Sequence, residues 1–130
     1  MAGNRAFGER IRQAREVKKR DNPSFSLRQF AMSVGISATF LSKVENGEFD
    51  PPAPDKIKRI AMLLDINADE LLALANRIDP ELPEIIREHP RAMADFLRTA
   101  RDVQLSRQEI EAMTRRIREE HRVAKSGESG

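Results

Sequence analysis

The sequence predicts an all-α fold, and three observations carry that prediction. Strand formers are sparse: 130 residues contain no Trp and no Tyr, and no stretch alternates apolar and polar residues for long. Apolar residues instead recur three and four positions apart, as Phe7, Ile11 and Ala14 do at the start. Cap-forming residues (Ser26, Ser37, Asn67 and Ser106) stand just ahead of such apolar runs.

Taken in order, the Phe7 stripe marks a first helix over about 5–17, and Asn22-Pro23-Ser24 places a loop between Lys18 and Phe25. Ser26 caps a second helix whose inward positions are Leu27, Phe30, Ala31 and Val34, and Gly35 ends it. Ser37 caps a third, with Phe40, Leu41 and Val44 on its apolar side and Asn46-Gly47 as its stop, since both residues tolerate positive φ. Pro51, Pro52 and Pro54 keep the next stretch extended. A fourth helix then turns Ile57, Ile60, Ala61 and Leu64 inward. Asn67 and Glu70 form a capping box for a fifth, with Leu71, Leu72 and Leu74 inside. Asp79-Pro80 opens a short helix with Leu82, Ile85 and Ile86, and Pro90 opens another with Met93, Phe96, Leu97 and Ala100 on one face. Ser106 and Glu109 make a further capping box, for a helix carrying Ile110, Met113 and Ile117. The expected organisation is a first domain over 1–78, a helical region over 79–122 and a disordered tail over 123–130, because Lys125 to Gly130 has no apolar anchor.

The net charge of +2 hides an uneven distribution. Residues 1–20 carry seven Lys/Arg against Glu9 and Glu16, whereas residues 79–130 carry ten basic and eleven acidic side chains, so a polyanionic partner would meet the first half. Cysteine is absent, which excludes disulfides and thiolate metal sites and fits a reducing cytoplasm. No apolar run is long enough for a signal peptide or a membrane span, so the expected location is cytoplasmic with no membrane partner. His89 and His121 lack a His-Glu-x-x-His spacing, and the glycines are too scattered for a phosphate-binding loop. The sequence therefore predicts no enzyme, no metal, no cofactor and no small-molecule effector.

The informative spacing is Phe30-Ala31-x-x-x-Gly35-Ile36-x-x-x-x-Leu41-x-x-Val44. Two helices crossing steeply over a short turn require a small residue at the crossing, which Ala31 supplies, and a positive φ in the turn, which Gly35 adopts without a steric penalty. Ile36, Leu41 and Val44 then seat the second helix on the first. Over Phe7 to Ala75 the chain resembles the XRE (phage-repressor, Cro-type) helix-turn-helix family. The resemblance rests on Phe-Gly-x-x-Ile-Arg-x-x-Arg from Phe7, Ser-Leu-Arg-Gln-Phe-Ala from Ser26 and Gly-Ile-Ser-x-x-Phe-Leu-Ser-Lys-Val-Glu-Asn-Gly from Gly35. Pro52 to Ala61 and Asp65-Ile66-x-x-x-Glu70-Leu71-Leu72 complete it.

That resemblance implies a five-helix lambda-repressor-like domain that binds double-stranded DNA, with the helix after Ser37 in the major groove. Base contacts are implied for Ser37, Ala38, Thr39, Ser42 and Lys43; by chemistry Lys43 can donate to guanine O6/N7, and the methyls of Ala38 and Thr39 suit a thymine methyl. Ser37 can serve as cap and contact together, while Ala38 has the alternative of a small solvent-facing residue. Phosphate contacts are implied for Ser26, Arg28, Asn46 and some of Arg10, Lys18, Lys19 and Arg20. The family usually places Gln at the position of Leu27, which cannot hold a phosphate, so Arg28 is the expected substitute. The Lys18–Arg20 run either reaches a flanking phosphate or is solvated. Arg15 and Glu45 match a pair that the family uses as a buried ion pair, and Phe40 faces either the sugar-phosphate edge or the core.

The apolar positions of the second half (Ile85, Ile86, Met93, Phe96, Leu97, Ile110, Met113 and Ile117) need a surface to cover. A second copy, a regulatory protein partner or the first domain would serve. The expectation is a dimeric transcriptional repressor reading a pseudo-palindromic operator. The alternative is an antitoxin-type module whose C-terminal helices bind a partner protein while the helix-turn-helix autoregulates.

Overall fold

The computed structural model describes the backbone over residues 3–129 and the side chains over residues 3–122. Among the described residues the regular structure is helical throughout: α1 (Arg5–Lys19), a 3-10 turn (Pro23–Phe25), α2 (Leu27–Val34), α3 (Ala38–Glu45), α4 (Pro54–Leu64), α5 (Ala68–Leu74), α6 (Glu81–Glu88), α7 (Pro90–Asp102) and α8 (Arg107–Ser129). The chain divides into two compact units, 1–84 and 85–130, with the division inside α6.

In the first unit α1 to α5 close around one core. Phe7 and Ile11 of α1 meet Phe30, Ala31 and Val34 of α2, Leu41 and Val44 of α3, and Ile57, Ile60, Ala61 and Leu64 of α4. Leu71 and Leu72 of α5 complete it with Ala75. Leu74 departs from the expected inward set: it is 37% exposed, and Ala75, four positions after Leu71, is buried in its place. A helix of seven residues has room for one stripe, and the 3.6-residue period puts 71, 72 and 75 on it.

Side-chain caps start four of these helices. Asn4 accepts from the Phe7 amide, Ser26 from Gln29, Ser37 from Phe40 and Asn67 from Glu70. The ends of α2, α4 and α5 follow one recipe. Gly35, Asp65 and Asn76 adopt left-handed φ values of 88°, 57° and 56°. The next residue's amide then donates back to a carbonyl of the closing turn: Ile36 to Ala31, Ile66 to Ala61, Arg77 to Leu72.

In the second unit, Leu105 repeats that recipe by donating to Ala100 after Gln104 at φ 56°. Ser106 and Glu109 exchange two hydrogen bonds, of 3.1 and 3.0 Å, as a complete capping box for α8. Phe96, Leu97, Leu105, Ile110, Met113 and Ile117 line one apolar groove between α7 and α8. The backbone of α8 stays helical to Ser129, where the sequence reading expects a tail from 123. Glu119 and Arg122 pair at 2.7 Å on the turn before it. The side chains of 123–130 lie outside the described residues.

Candidate nucleic-acid interface

Three local features aim α3. Gly35 reverses the chain after α2, Ile36 lies half-buried against the core, and Ser37 holds extended φ/ψ of −76° and 152° while its oxygen accepts from Phe40. With Leu41 and Val44 buried at 0% and 1%, the opposite side of α3 is presented outward. That side carries Thr39, Ser42 and Lys43, with Asn46 at the C-cap. Thr39 and Asn46 are exposed, and Ser42 and Lys43 are half-buried. Ser37 is exposed beside them, so its backbone role as a cap leaves it accessible.

Two α3 residues sit deeper than a solvent-facing position. Ala38 is half-buried and packs against the core, which corrects its alternative as a plain surface residue. Phe40 packs there too and meets Phe49 in a tilted aromatic pair with ring centroids 6.0 Å apart.

The frame that holds α3 comes from α1. Arg15 donates from Nε to Glu45 Oε2 at 2.8 Å and from Nη2 to Oε1 at 2.9 Å, and its Nη1 reaches the Phe25 carbonyl at 3.0 Å. Both side chains are nearly sealed from solvent, at 6% and 4% exposure. The hydrogen bond to Glu45 holds the Arg15 guanidinium above its ordinary range and outweighs the opposing desolvation. Two turns earlier, Gly8 lets the α1 backbone touch the end of α3: a Cβ there would sit 2.7 Å from the Glu45 carbonyl oxygen and would also collide with that of Val44. The sequence reading included Gly8 in the Phe-Gly-x-x-Ile-Arg signature but assigned it no role. The signal that could have found it is a glycine inside a helix between two buried positions, Phe7 and Ile11, where helix propensity argues against it.

The expected phosphate-contacting residues divide. Ser26, half-buried, caps α2, and Arg28 in the first turn of α2 is exposed, as are Lys19 and Arg20 at the end of α1. Lys18 and Arg10 lie elsewhere. Lys18 donates to Asp65 at 2.8 Å and stands 5.7 Å from the Phe25 ring centroid, while Arg10 shares a cleft with Ile66, Glu70 and Leu74. The α1 period explains the split, since it turns Arg10 and Lys18 toward α5 and the α4–α5 turn rather than toward α3. Leu27 is half-buried against the core. A further cation that the sequence did not single out, Arg59 of α4, donates to the Ser33 carbonyl at 3.1 Å and ties α4 to the end of α2.

Among the described residues no cluster of His, Asp or Glu is arranged to hold a metal, and no helix is long and apolar enough to cross a membrane.

The model of a helix-turn-helix domain family matches residues 8–77, a stretch running from Gly8 to the close of α5. Over 82 residues the chain is 37% identical to RghRB of Bacillus subtilis (strain 168), named an uncharacterized HTH-type transcriptional regulator; the match covers 63% of this chain and 55% of that protein. Over 74 residues it is 35% identical to RghR of the same organism, named an HTH-type transcriptional repressor, covering 57% of this chain and 51% of the relative. The chain therefore spans about half the length of the curated relatives it matches. Among solved structures, a chain of the SinR protein/SinI protein complex aligns with a TM-score of 0.43 at 22% identity, over 75% of this chain and 97% of that one. With the family match covering more than half of the chain, over residues 8–77, and the turn at Gly35 inside it, the chain belongs to the helix-turn-helix family of XRE-like regulators.

Proposed function

We propose that this protein is a dimeric transcriptional repressor that reads a pseudo-palindromic operator with α3. The observation that carries the proposal is the outward side of α3, where Thr39, Ser42, Lys43 and Asn46 stand clear of the core on a helix fixed by Gly35, Ser37 and the Arg15–Glu45 pair. In this class of motif such a side enters the major groove and reads base edges. Lys43 is assigned to guanine O6/N7, the Thr39 methyl to a thymine methyl, and Ser37 and Ser42 to adjacent polar edges. Ala38 contributes only the part of its methyl that the core leaves open. Arg28, Ser26, Asn46, Lys19 and Arg20 are assigned to phosphates, and Arg10 and Lys18 leave that set because of their contacts with α5 and Asp65. The repressor name of one relative supports the direction of regulation.

The dimer half of the proposal rests on the second unit, whose groove exposes Phe96 by 54%, Leu97 by 47% and Ile117 by 53%. A surface of this kind on a small helical hairpin needs a cover, and a second copy places two copies of α3 at half-sites about 34 Å apart. The same groove favours a second reading, in which a regulatory or toxin-like partner protein covers it. Sequencing the genomic fragments retained by the purified protein tests the first reading and should return paired, inverted half-sites. Fragments without sequence preference, or binding indifferent to salt, would refute it. A stoichiometric partner that displaces the second copy in light-scattering measurements would establish the other reading.

A further inference from the structure

Lys43 is the one cation that α3 presents outward, and it is not left alone. The Glu48 carboxylate lies 3.7 Å from its ammonium, with the two side chains 52% and 42% exposed. Chance surface pairs are usually loose, but here the backbone holds the two residues side by side. The amides of Glu48 and Phe49 both donate to the Lys43 carbonyl, at 2.9 and 3.2 Å, and the Phe49 ring packs on Phe40 of α3. Glu48 is therefore built into the end of α3 beside the cation that it neutralises. Lys19, Arg20 and Arg28, the exposed cations assigned to phosphates, belong to α1 and α2 or the turn after α1.

We infer that Glu48 is a specificity-determining residue: it restrains Lys43 from binding any phosphate within reach and reserves it for a base edge. The inference rests on the DNA reading above and deepens it. Attraction of a free ammonium to phosphate carries no sequence information and raises affinity for every duplex alike. An ammonium already paired gains little from exchanging one carboxylate for one phosphate. Guanine O6 and N7 are uncharged acceptors that can share the ammonium with the carboxylate, whereas a phosphate brings a second anion against Glu48. The acidic residue thus lowers non-specific binding more than specific binding, and the ratio between them rises.

The test compares wild type with E48Q, K43A and the double variant, on an operator duplex recovered by fragment sequencing and on a scrambled duplex of equal length, across a salt series. E48Q preserves shape and removes charge at an exposed position, and its thermal melt checks that the fold is retained. It should tighten scrambled-duplex binding about two- to fivefold, the range set by an exposed ion pair. The slope of log K against log salt should steepen by about 0.9, as for one added phosphate contact. Operator affinity should change less, so discrimination falls, and in the K43A background E48Q should have no effect on either duplex. An unchanged scrambled-duplex affinity, the same tightening with and without Lys43, or a selective loss of operator binding would each overturn the inference, the last by making Glu48 a direct base contact. A wild type that binds neither duplex overturns the DNA reading itself, whereas a wild type that discriminates beside an indifferent E48Q overturns only the role of Glu48.

Discussion

Gly8 and Gly35 illustrate two different reasons for glycine, and substitution separates them. At Gly8 the obstacle is space, because the neighbours of an added methyl are backbone carbonyls that cannot swing aside. Gly8→Ala should push α1 off α3 and lower stability by about 1–3 kcal/mol in urea unfolding. At Gly35 the nearest atom to a new Cβ is the mobile end of Lys56 at 3.0 Å, so the obstacle is the left-handed φ, and Gly35→Ala should lose about 1–2 kcal/mol. Gly35 was legible because a turn glycine has a recognisable setting. Gly8 was not, because its partner is the distant end of α3, and close approach between elements leaves no local mark. The Arg15–Glu45 pair was legible only through family resemblance, since nothing in either residue's neighbourhood announces the other. Truncating Arg15 to Ala would strand a buried carboxylate and should destabilise by about 3–5 kcal/mol in thermal or urea melts. With its pKa raised above the ordinary arginine range by the Glu45 hydrogen bond, Arg15 contributes fully through neutral and mildly alkaline pH, and the contribution is lost only in strong alkali. Stability measured between neutral and mildly alkaline pH should therefore show no step from this arginine.

At the scale of elements, caps tie the chain's local signals to its working parts. Ser37→Ala removes the acceptor for the Phe40 amide and should reduce stability by about 1 kcal/mol, while Ser37→Gly should cost only a few tenths. If Ser37 also touches a base, both variants lose DNA affinity by more than their shared effect on folding, which binding at saturating fold stability would reveal. Thr39→Ala keeps the helix and should relax preference at one base pair by about 1–3 kcal/mol, read by competing operator variants. Asp79 joins two elements: it accepts the Glu81 amide at the start of α6 at 2.9 Å and pairs with Lys58 of α4 at 3.0 Å. The amide hydrogen bond first, and then Lys58, hold its carboxyl below the ordinary 3.8. Its contribution is present above that value and lost as pH falls through the depressed one, so the Glu81 amide resonance should shift only in strong acid. Helix starts were readable because a cap is a single residue beside an apolar run. The fate of Lys18 and Leu74 was not, since which flank of a helix meets which neighbour depends on packing that no window of sequence contains.

The whole molecule joins a unit with a sealed core to one without. Among the described residues from Ile85 onward none is fully buried, whereas α1 to α5 bury Phe7, Ile11, Leu41, Ile57 and Ile60 to 0% exposure. On the dimer proposal, charged substitutions in the α7–α8 groove, such as Phe96→Asp with Ile117→Asp, should yield monomers by light scattering. Losing such central anchors typically weakens association by 2 kcal/mol or more, about thirtyfold. The melt of the first unit should be unaffected, and affinity for an isolated half-site should be retained. Of the apolar positions the sequence singled out, Phe96, Leu97, Ile110, Met113 and Ile117 share the groove, but what lies over them was not legible, because exposure is a property of the assembled surface. It also placed a structureless tail where α8 runs on to Ser129, since helix propagation there depends on the preceding turns rather than on any anchor of its own.

An open apolar groove has a thermodynamic corollary. Where burial is completed only by association, order in that region and self-association rise and fall together, so its folding midpoint moves with protein concentration. Dilution would then loosen the hairpins and release paired half-sites in the same step. Abundance alone would set a steep threshold for operator occupancy, with no inducer needed.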